Sequence, residues 1–141
     1  MTNTEYDAHS GRGVVMAPER QVPDAKELSR VSKEEWREWT KTIWQIANTT
    51  DPEHPAVFPL EIPRRLIRLF SFVGETVLDP FAGVGTTAHA ALALGRSAVC
   101  YEQNPQYAQR ILADSPEPTF GAELTVKVGD SRDLSQLTDS S

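Results

Sequence analysis

The sequence predicts an α/β domain, a parallel βαβαβ unit with a helical segment ahead of it. From Glu75 to Val128, three short apolar strands alternate with two helical stretches. That alternation requires crossover connections and so a parallel sheet. Between the first of these strands and the first helix lies Gly83-Val84-Gly85, where two glycines let the chain turn sharply and approach a ligand closely. A third observation places a site. Asp79, Glu102 and Asp130 stand at the ends of the three strands, and in such sheets ligands bind at the strands' carboxyl ends.

Taken in order, residues 1–31 mix Gly, Pro and charges and read as an irregular segment. Within it the short apolar run Gly13-Val14-Val15-Met16 can form a strand. Ser32-Lys33-Glu34-Glu35 has the form of a capping box. Trp36, Trp39, Thr40, Ile43 and Trp44 then follow helical spacing, which predicts an amphipathic helix over about 33–46. Asn48 to Pro55 reads as a loop, and Phe58 to Phe70 resumes a helical pattern with Leu66, Ile67 and Phe70 inward. Pro59 and Pro63 fall in or near its first turn, where proline costs least. Thr76-Val77-Leu78 is expected to be a short buried strand, ended by Asp79-Pro80. Thr86 to Leu94 is an alanine-rich helix stopped by Gly95, and Ser97 to Tyr101 is the second strand. Asn104 caps a helix from Pro105 to about Ala113, and Leu124 to Val128 is the third strand. The expected domain spans 32–133, with a motif helix at 54–70, a ligand loop at 79–87 and a polar tail at 134–141.

At 141 residues the chain has room for one domain and little more. It lacks a run of about 18 apolar residues, and its first residues are polar and partly acidic, without the apolar stretch of a signal peptide. Those features predict a cytoplasmic protein with no membrane span. A single cysteine, Cys100, excludes an internal disulfide, and three scattered histidines give no zinc spacing, so no metal is expected. The net charge is −6, and it is unevenly placed. Residues 1–69 carry 10 basic and 11 acidic side chains, whereas residues 70–141 carry 4 and 9. Proteins that hold duplex DNA by themselves present a basic face, so this balance argues against strong binding without a basic partner.

Two cofactors compete for the glycine turn. Gly83-Val84-Gly85-Thr86-Thr87-Ala88 satisfies the G-x-G-x-x-G/A dinucleotide pattern, which makes NAD a rival. A pyrophosphate wants donors and positive charge at the helix start, and Asp79 is a poor neighbour for it. S-adenosylmethionine instead offers an α-ammonium, a ribose and an adenine amino group, three features that Asp79, Glu102 and Asp130 would match in order. Glu102, 19 residues after Gly83, is where a carboxylate accepts from ribose hydroxyls. As a residue of an exposed crevice, it should be replaceable with the fold largely unchanged.

Beyond these local signals, several motifs recur in a telling order. His54-Pro55-Ala56-Val57-Phe58-Pro59, Arg65-Leu66-Ile67 and Val77-Leu78-Asp79-Pro80-Phe81-Ala82-Gly83-Val84-Gly85-Thr86-Thr87 closely resemble the β-class of DNA amino-methyltransferases, which modify N4 of cytosine or N6 of adenine. Arg96, Glu102, Asn104, Pro105 and Tyr107 fit the stretch that follows, so the resemblance covers about 30–133. It implies a partial Rossmann-like methyltransferase fold and S-adenosylmethionine as cofactor. The contacts it implies are Ala56, Phe58, Asp79, Phe81, Gly83, Gly85, Thr86, Glu102 and Asp130. Where the family loop often has Ser, this chain has Val84.

The larger departure is an absence. The family holds its target amine with Asp/Asn/Ser-Pro-Pro-aromatic, and this chain contains no Pro-Pro. Neither Ala17-Pro18-Glu19 nor Ser115-Pro116-Glu117-Pro118 replaces it, so no catalytic residue is assigned. The chain resembles the carboxyl-terminal, cofactor-binding half of such an enzyme. On that reading DNA is reached through a partner chain carrying the catalytic and target-recognition region. A non-catalytic cofactor-binding remnant or interaction module is the alternative. Plainer roles are expected elsewhere. The three tryptophans read as core or partner contacts, His54 as a loop residue, Arg64, Arg65 and Arg68 as a solvated basic cluster, and Cys100 as a buried strand residue.

Overall fold

The strands expected after Glu75 form one parallel sheet. The computed structural model describes residues 4–6, 13–15, 24–48 and 58–133. In chain order, β1 (Thr4–Tyr6) pairs antiparallel with β2 (Gly13–Val15), with Glu5 opposite Val14. The short helices α1 (Ala25–Leu28) and α2 (Lys33–Trp39) follow, then α3 (Glu61–Phe70). β3 (Thr76–Asp79), α4 (Thr86–Ala93), β4 (Ser97–Glu102), α5 (Pro105–Asp114) and β5 (Leu124–Val128) complete the unit. The sheet order is β3-β4-β5, with Leu78 beside Val99 and Cys100 beside Val126.

Strand alternation divides the side chains between two faces. Val77, Ala98, Cys100, Leu124 and Val126 meet Ala88, Ala90, Ala91 and Ile111 in the core. The small side chains of α4 let it lie close to the sheet while it also packs on α3. Helix packing on the sheet comes chiefly from α4 and α5, on this one face.

Local capping explains where the helices begin. Ser32 Oγ accepts from the Glu35 N–H at 3.1 Å and Glu35 returns a bond from the Ser32 N–H at 2.9 Å, so the capping box is complete. Asn104 Oδ1 accepts from the Gln106 N–H at 2.9 Å, starting α5 at Pro105.

Four expectations need correction. The helix expected over 33–46 stops at Trp39. Thr40 bonds back to the Trp36 carbonyl, and Trp44 folds over to donate to the Trp39 carbonyl at 2.9 Å, which turns the chain away. The next helix begins at Glu61 rather than Phe58. Its apolar side is not wholly inward, because Ile67 is buried while Leu66 is exposed and Phe70 is 80% exposed. β3 is not a buried strand either, since among the described residues it lies at the sheet edge and Leu78 is 44% exposed. Finally, the stretch read as irregular contains β1 and α1 besides the strand expected at Gly13, and Ser29 is buried there, accepting from the Val73 N–H at 2.7 Å.

Arg96 is the largest of the fully buried side chains, 2% exposed. It donates to the Ser71 carbonyl at 2.7 Å and the Leu94 carbonyl at 2.6 Å, joining the end of α3 to the end of α4. Burial pulls its pKa below the usual arginine range, and the nearby Arg68 adds to this.

Candidate cofactor-binding site

Parallel strands ending in acids bring Asp79, Glu102 and Asp130 to one edge of the sheet. Asp79 is the last residue of β3, Glu102 the last of β4, and Asp130 follows β5 by two positions. Beside them opens a crevice of about 350 Å³ lined by Pro80, Phe81, Gly83, Tyr101, Glu102, Gln103 and Ser131. That volume falls in the ~300–1,000 Å³ range of small-molecule sites. A larger groove of about 560 Å³ lies between α3 and β3. Its lining is almost wholly apolar and includes none of the three acids, so the smaller crevice is the candidate site.

Glu102 organises the loop above it. Its Oε2 accepts from the Gly83 N–H at 2.8 Å and its Oε1 from the Asn104 N–H at 2.8 Å. Each carboxylate oxygen has a second lone pair, which leaves capacity for a diol. This side chain also ties the glycine turn to the start of α5, a structural role that the sequence reading did not give it.

Three further amides of the loop are engaged. The Phe81 N–H donates to Asp79 Oδ1 at 3.0 Å, the Ala82 N–H to the Tyr101 carbonyl at 3.0 Å, and the Gly85 N–H to the Ala82 carbonyl at 2.8 Å. A pyrophosphate needs such donors free. Here these three are spent on the loop itself, and the carboxylate of Asp79 stands beside it. The turn thus suits a ligand recognised by carboxylates better than one recognised through phosphates.

Gly85 caps α4 with φ +89°. A Cβ there would sit 2.9 Å from Ile111 Cγ1, so this glycine is required for the contact between α4 and α5. Gly83, at φ +56°, lines the crevice itself. Val84 is buried, so it replaces the family's usual serine without reaching the crevice lining.

Asp130 is already partnered. Both of its oxygens accept from Arg132 Nε, at 3.0 and 2.9 Å, and Oδ1 also accepts from the Arg132 N–H. These bonds hold its pKa down to about 2. Thr86 is the first residue of α4, Phe81 is 81% exposed, and Phe58 is exposed on the groove beside α3 rather than in the crevice. Ala56 and His54 lie outside the described residues. Sequence reasoning passed over Tyr101, Gln103 and Ser131, although each neighbours a recognised acid. The Tyr101 hydroxyl is buried without a hydrogen-bond partner, so it is a polar atom that a ligand could satisfy.

The basic cluster is not the solvated patch expected. Arg64 and Arg65 pair with Glu61 at 2.9 and 2.8 Å, and Arg68 pairs with Glu35 at 2.6 Å. All three guanidinium groups lie within 6.0 Å of the buried Trp39 ring. Burial opposes ionisation of Glu61, yet the bonds from Arg65 and Arg64 outweigh it and hold its pKa down. Stacking and pairing consume this charge, which leaves little to offer a phosphate. Among the described residues no cluster of His, Cys, Asp and Glu could hold a metal, and no helix is long and apolar enough to cross a membrane.

A sequence model of the DNA methylase family, the N6/N4 methyltransferases, matches residues 4–113. The chain belongs to that family. Among curated DNA methylases, Type II methyltransferase M.MjaI of Methanocaldococcus jannaschii is 49% identical over 80 residues, 52% of this chain and 26% of that protein. Type II methyltransferase M.BglI of Bacillus subtilis is 46% identical over 83 residues, 57% of this chain and 24% of that one. The chain therefore spans about a quarter of the length of these relatives. Among solved structures, TTHA0409 of Thermus thermophilus superposes with a TM-score of 0.61 at 41% identity, covering 74% of this chain and 43% of that chain. A second structure of TTHA0409, complexed with S-adenosyl-L-methionine, gives a TM-score of 0.59 at 40% identity, over 76% and 42%. The partial Rossmann-like methyltransferase fold is thus the fold of this DNA methylase chain.

Proposed function

We propose that this chain is the S-adenosylmethionine-binding portion of a DNA amino-methyltransferase, acting on N4 of cytosine or N6 of adenine. The observation that carries the reading is the row of three carboxylates at successive strand ends, with Glu102 already locked onto the glycine turn. Bound S-adenosylmethionine supplies an electrophilic methyl group on a positively charged sulfur. Asp79 offers a carboxylate to its α-ammonium, Glu102 accepts from the ribose hydroxyls, and Asp130 meets the adenine amino group. Phe81 adds an exposed apolar surface beside Asp79. Gly83 keeps the loop free of a side chain where the cofactor approaches.

Transfer also requires the target amine to be held near the methyl carbon, about 3–3.5 Å away and in line with the breaking bond. The family does this with its Pro-Pro motif, absent from all 141 residues. On this reading the base, flipped from the duplex, is held by residues outside these 141, in a portion that also recognises the DNA. Missing orientation can raise the barrier by ~7 kcal/mol or more, around five orders of magnitude in rate.

Calorimetry with S-adenosylmethionine, its demethylated product and NAD tests the cofactor assignment, and tighter binding of NAD would overturn it. Labelled methyl transfer to DNA tests the division of labour. The purified chain is expected to be inactive and to gain activity with a partner bearing the motif. Robust turnover by the chain alone would mean that another residue holds the base. Inactivity with every such partner would favour the cofactor-binding remnant.

A further inference from the structure

Among the described residues, every lysine and arginine from Lys41 onward is paired with an acid, stacked on a ring or buried. Lys33 and Arg37 of α2 differ. Both are exposed, and neither has an acid partner among the described residues. The helical period sets Lys33, Trp36, Arg37 and Thr40 on one side of α2, and no acid shares that side. Glu35 is drawn to Arg68 and Trp39 is buried, while Glu38 pairs with Lys41. Trp36 itself is 56% exposed. Its ring borders two cavities, one of about 390 Å³ lined also by Lys33 and Arg37, the other of about 500 Å³ lined also by Phe70 and Phe72.

We propose that the Lys33–Trp36–Arg37 face of α2 holds an unpaired stretch of the DNA strand, with two phosphates on the cations and a base stacked on the indole. This rests on the DNA substrate of the proposed function and adds a contact remote from the cofactor crevice. Side chains four apart on a helix stand about 5–6 Å from one another at Cβ, so the two cations can take separate phosphates while Trp36 lies between them. Cations along a strand's backbone with an aromatic platform for its bases are how single strands are held. Flipping a base out of the duplex supplies such a strand, since it leaves unstacked nucleotides beside the target. A protein partner suits this face less well, because the cores of protein interfaces are depleted of charge and of lysine. A second copy suits it less still, since two-fold pairing would set each cation against its own equivalent. The net charge of −6 keeps the contact weak in the chain alone.

The test titrates the full chain into a fluorescent mixed-sequence single-stranded oligonucleotide and into its duplex, reading anisotropy over a series of salt concentrations. Weak binding is expected, with dissociation constants of about 10⁻⁶–10⁻⁴ M. Lys33→Ala with Arg37→Ala should make the slope of log affinity against log salt shallower by about 1.4–1.8, the value for two phosphates. Trp36→Ala should weaken single-strand binding about fivefold or more with that slope unchanged, and Trp36→Phe should restore part of the loss. All three variants keep the Ser32–Glu35 capping box, so their thermal melts and their calorimetric binding of S-adenosylmethionine should match the unaltered chain. Absence of binding at low salt overturns the proposal, as does a slope that ignores the loss of both cations. So does a Trp36→Ala chain that binds single strands as before, including one in which that change instead dissolves a homodimer. Binding of DNA through this face by a chain with no affinity for S-adenosylmethionine would sink the proposed function and leave the DNA contact standing.

Discussion

Glu102 Oε2 accepts a hydrogen bond from the Gly83 N–H at 2.8 Å, joining the last residue of β4 to the turn that follows β3. One side chain therefore shapes the loop before any ligand arrives, and its other oxygen holds the Asn104 N–H. Preorganisation of this kind lowers the ordering cost of binding.

Glu102→Gln keeps one acceptor oxygen and Glu102→Ala keeps neither. Loss of charged acceptors to a ribose diol should cost about 1.5–3 kcal/mol, roughly tenfold to hundredfold in affinity for S-adenosylmethionine. Glu102→Ala should also lower Tm by about 2–8 °C, because two backbone donors lose their partner. Calorimetry paired with thermal melts checks both effects, and an unaltered dissociation constant removes Glu102 from the site.

Gly85→Ala should destabilise the fold by about 1–3 kcal/mol, since the φ of +89° and the 2.9 Å approach to Ile111 both oppose a side chain. Urea unfolding measures it. A neutral result would mean that α5 can retreat from α4.

Asp130 should remain ionised far below the usual aspartate range. Its folded pKa is lowered from 3.8 to about 2 by Arg132, so the stabilisation is complete above the ordinary value and is lost as pH falls through about 2. Carbon-detected titration of its carboxyl in Arg132→Ala should return the midpoint toward 3.8. A midpoint that does not move would place the cause elsewhere.

Cys100 should be inert. Burial, reinforced by the negative charge of Asp79, pushes its thiol up to about 12, and only the thiolate attacks alkylating reagents. Mass spectrometry after iodoacetamide should find it unmodified in the native chain and modified in guanidinium. Fast native labelling would show that the sheet opens readily.

The elements with local signals were readable from the residues. Asn104 before Pro105, Gly95 after the alanine helix and the Ser32–Glu35 box each carry their own hydrogen-bonding instruction, and those boundaries agree with the structure. The row of strand-end acids was legible for the same reason, because strand period and position fix where they emerge. Periodicity could not say what covers an apolar face. It grouped Leu66 and Phe70 with Ile67, while the cover for the first two is absent among the described residues. Nor could it reveal Arg96, whose partners are backbone carbonyls brought near by the tertiary fold. The engagement of Glu102 with Gly83 was hidden likewise, since a separation of 19 residues along the chain carries no trace of it.

Glu35 completes the capping box that starts α2 and also grips Arg68 on α3. Seven residues are too few for an isolated helix to persist, the usual minimum being about 12–15. One half of this helix's capping box and its ion pair to α3 therefore share one carboxylate. The Ser32 N–H and then Arg68 hold Glu35 below its ordinary pKa, so the arrangement is secure at neutral pH and loosens only as pH falls through that lowered value. Acid below the usual glutamate range should accordingly weaken both contacts together, a change that the fluorescence of Trp39, stacked under Arg68, would report.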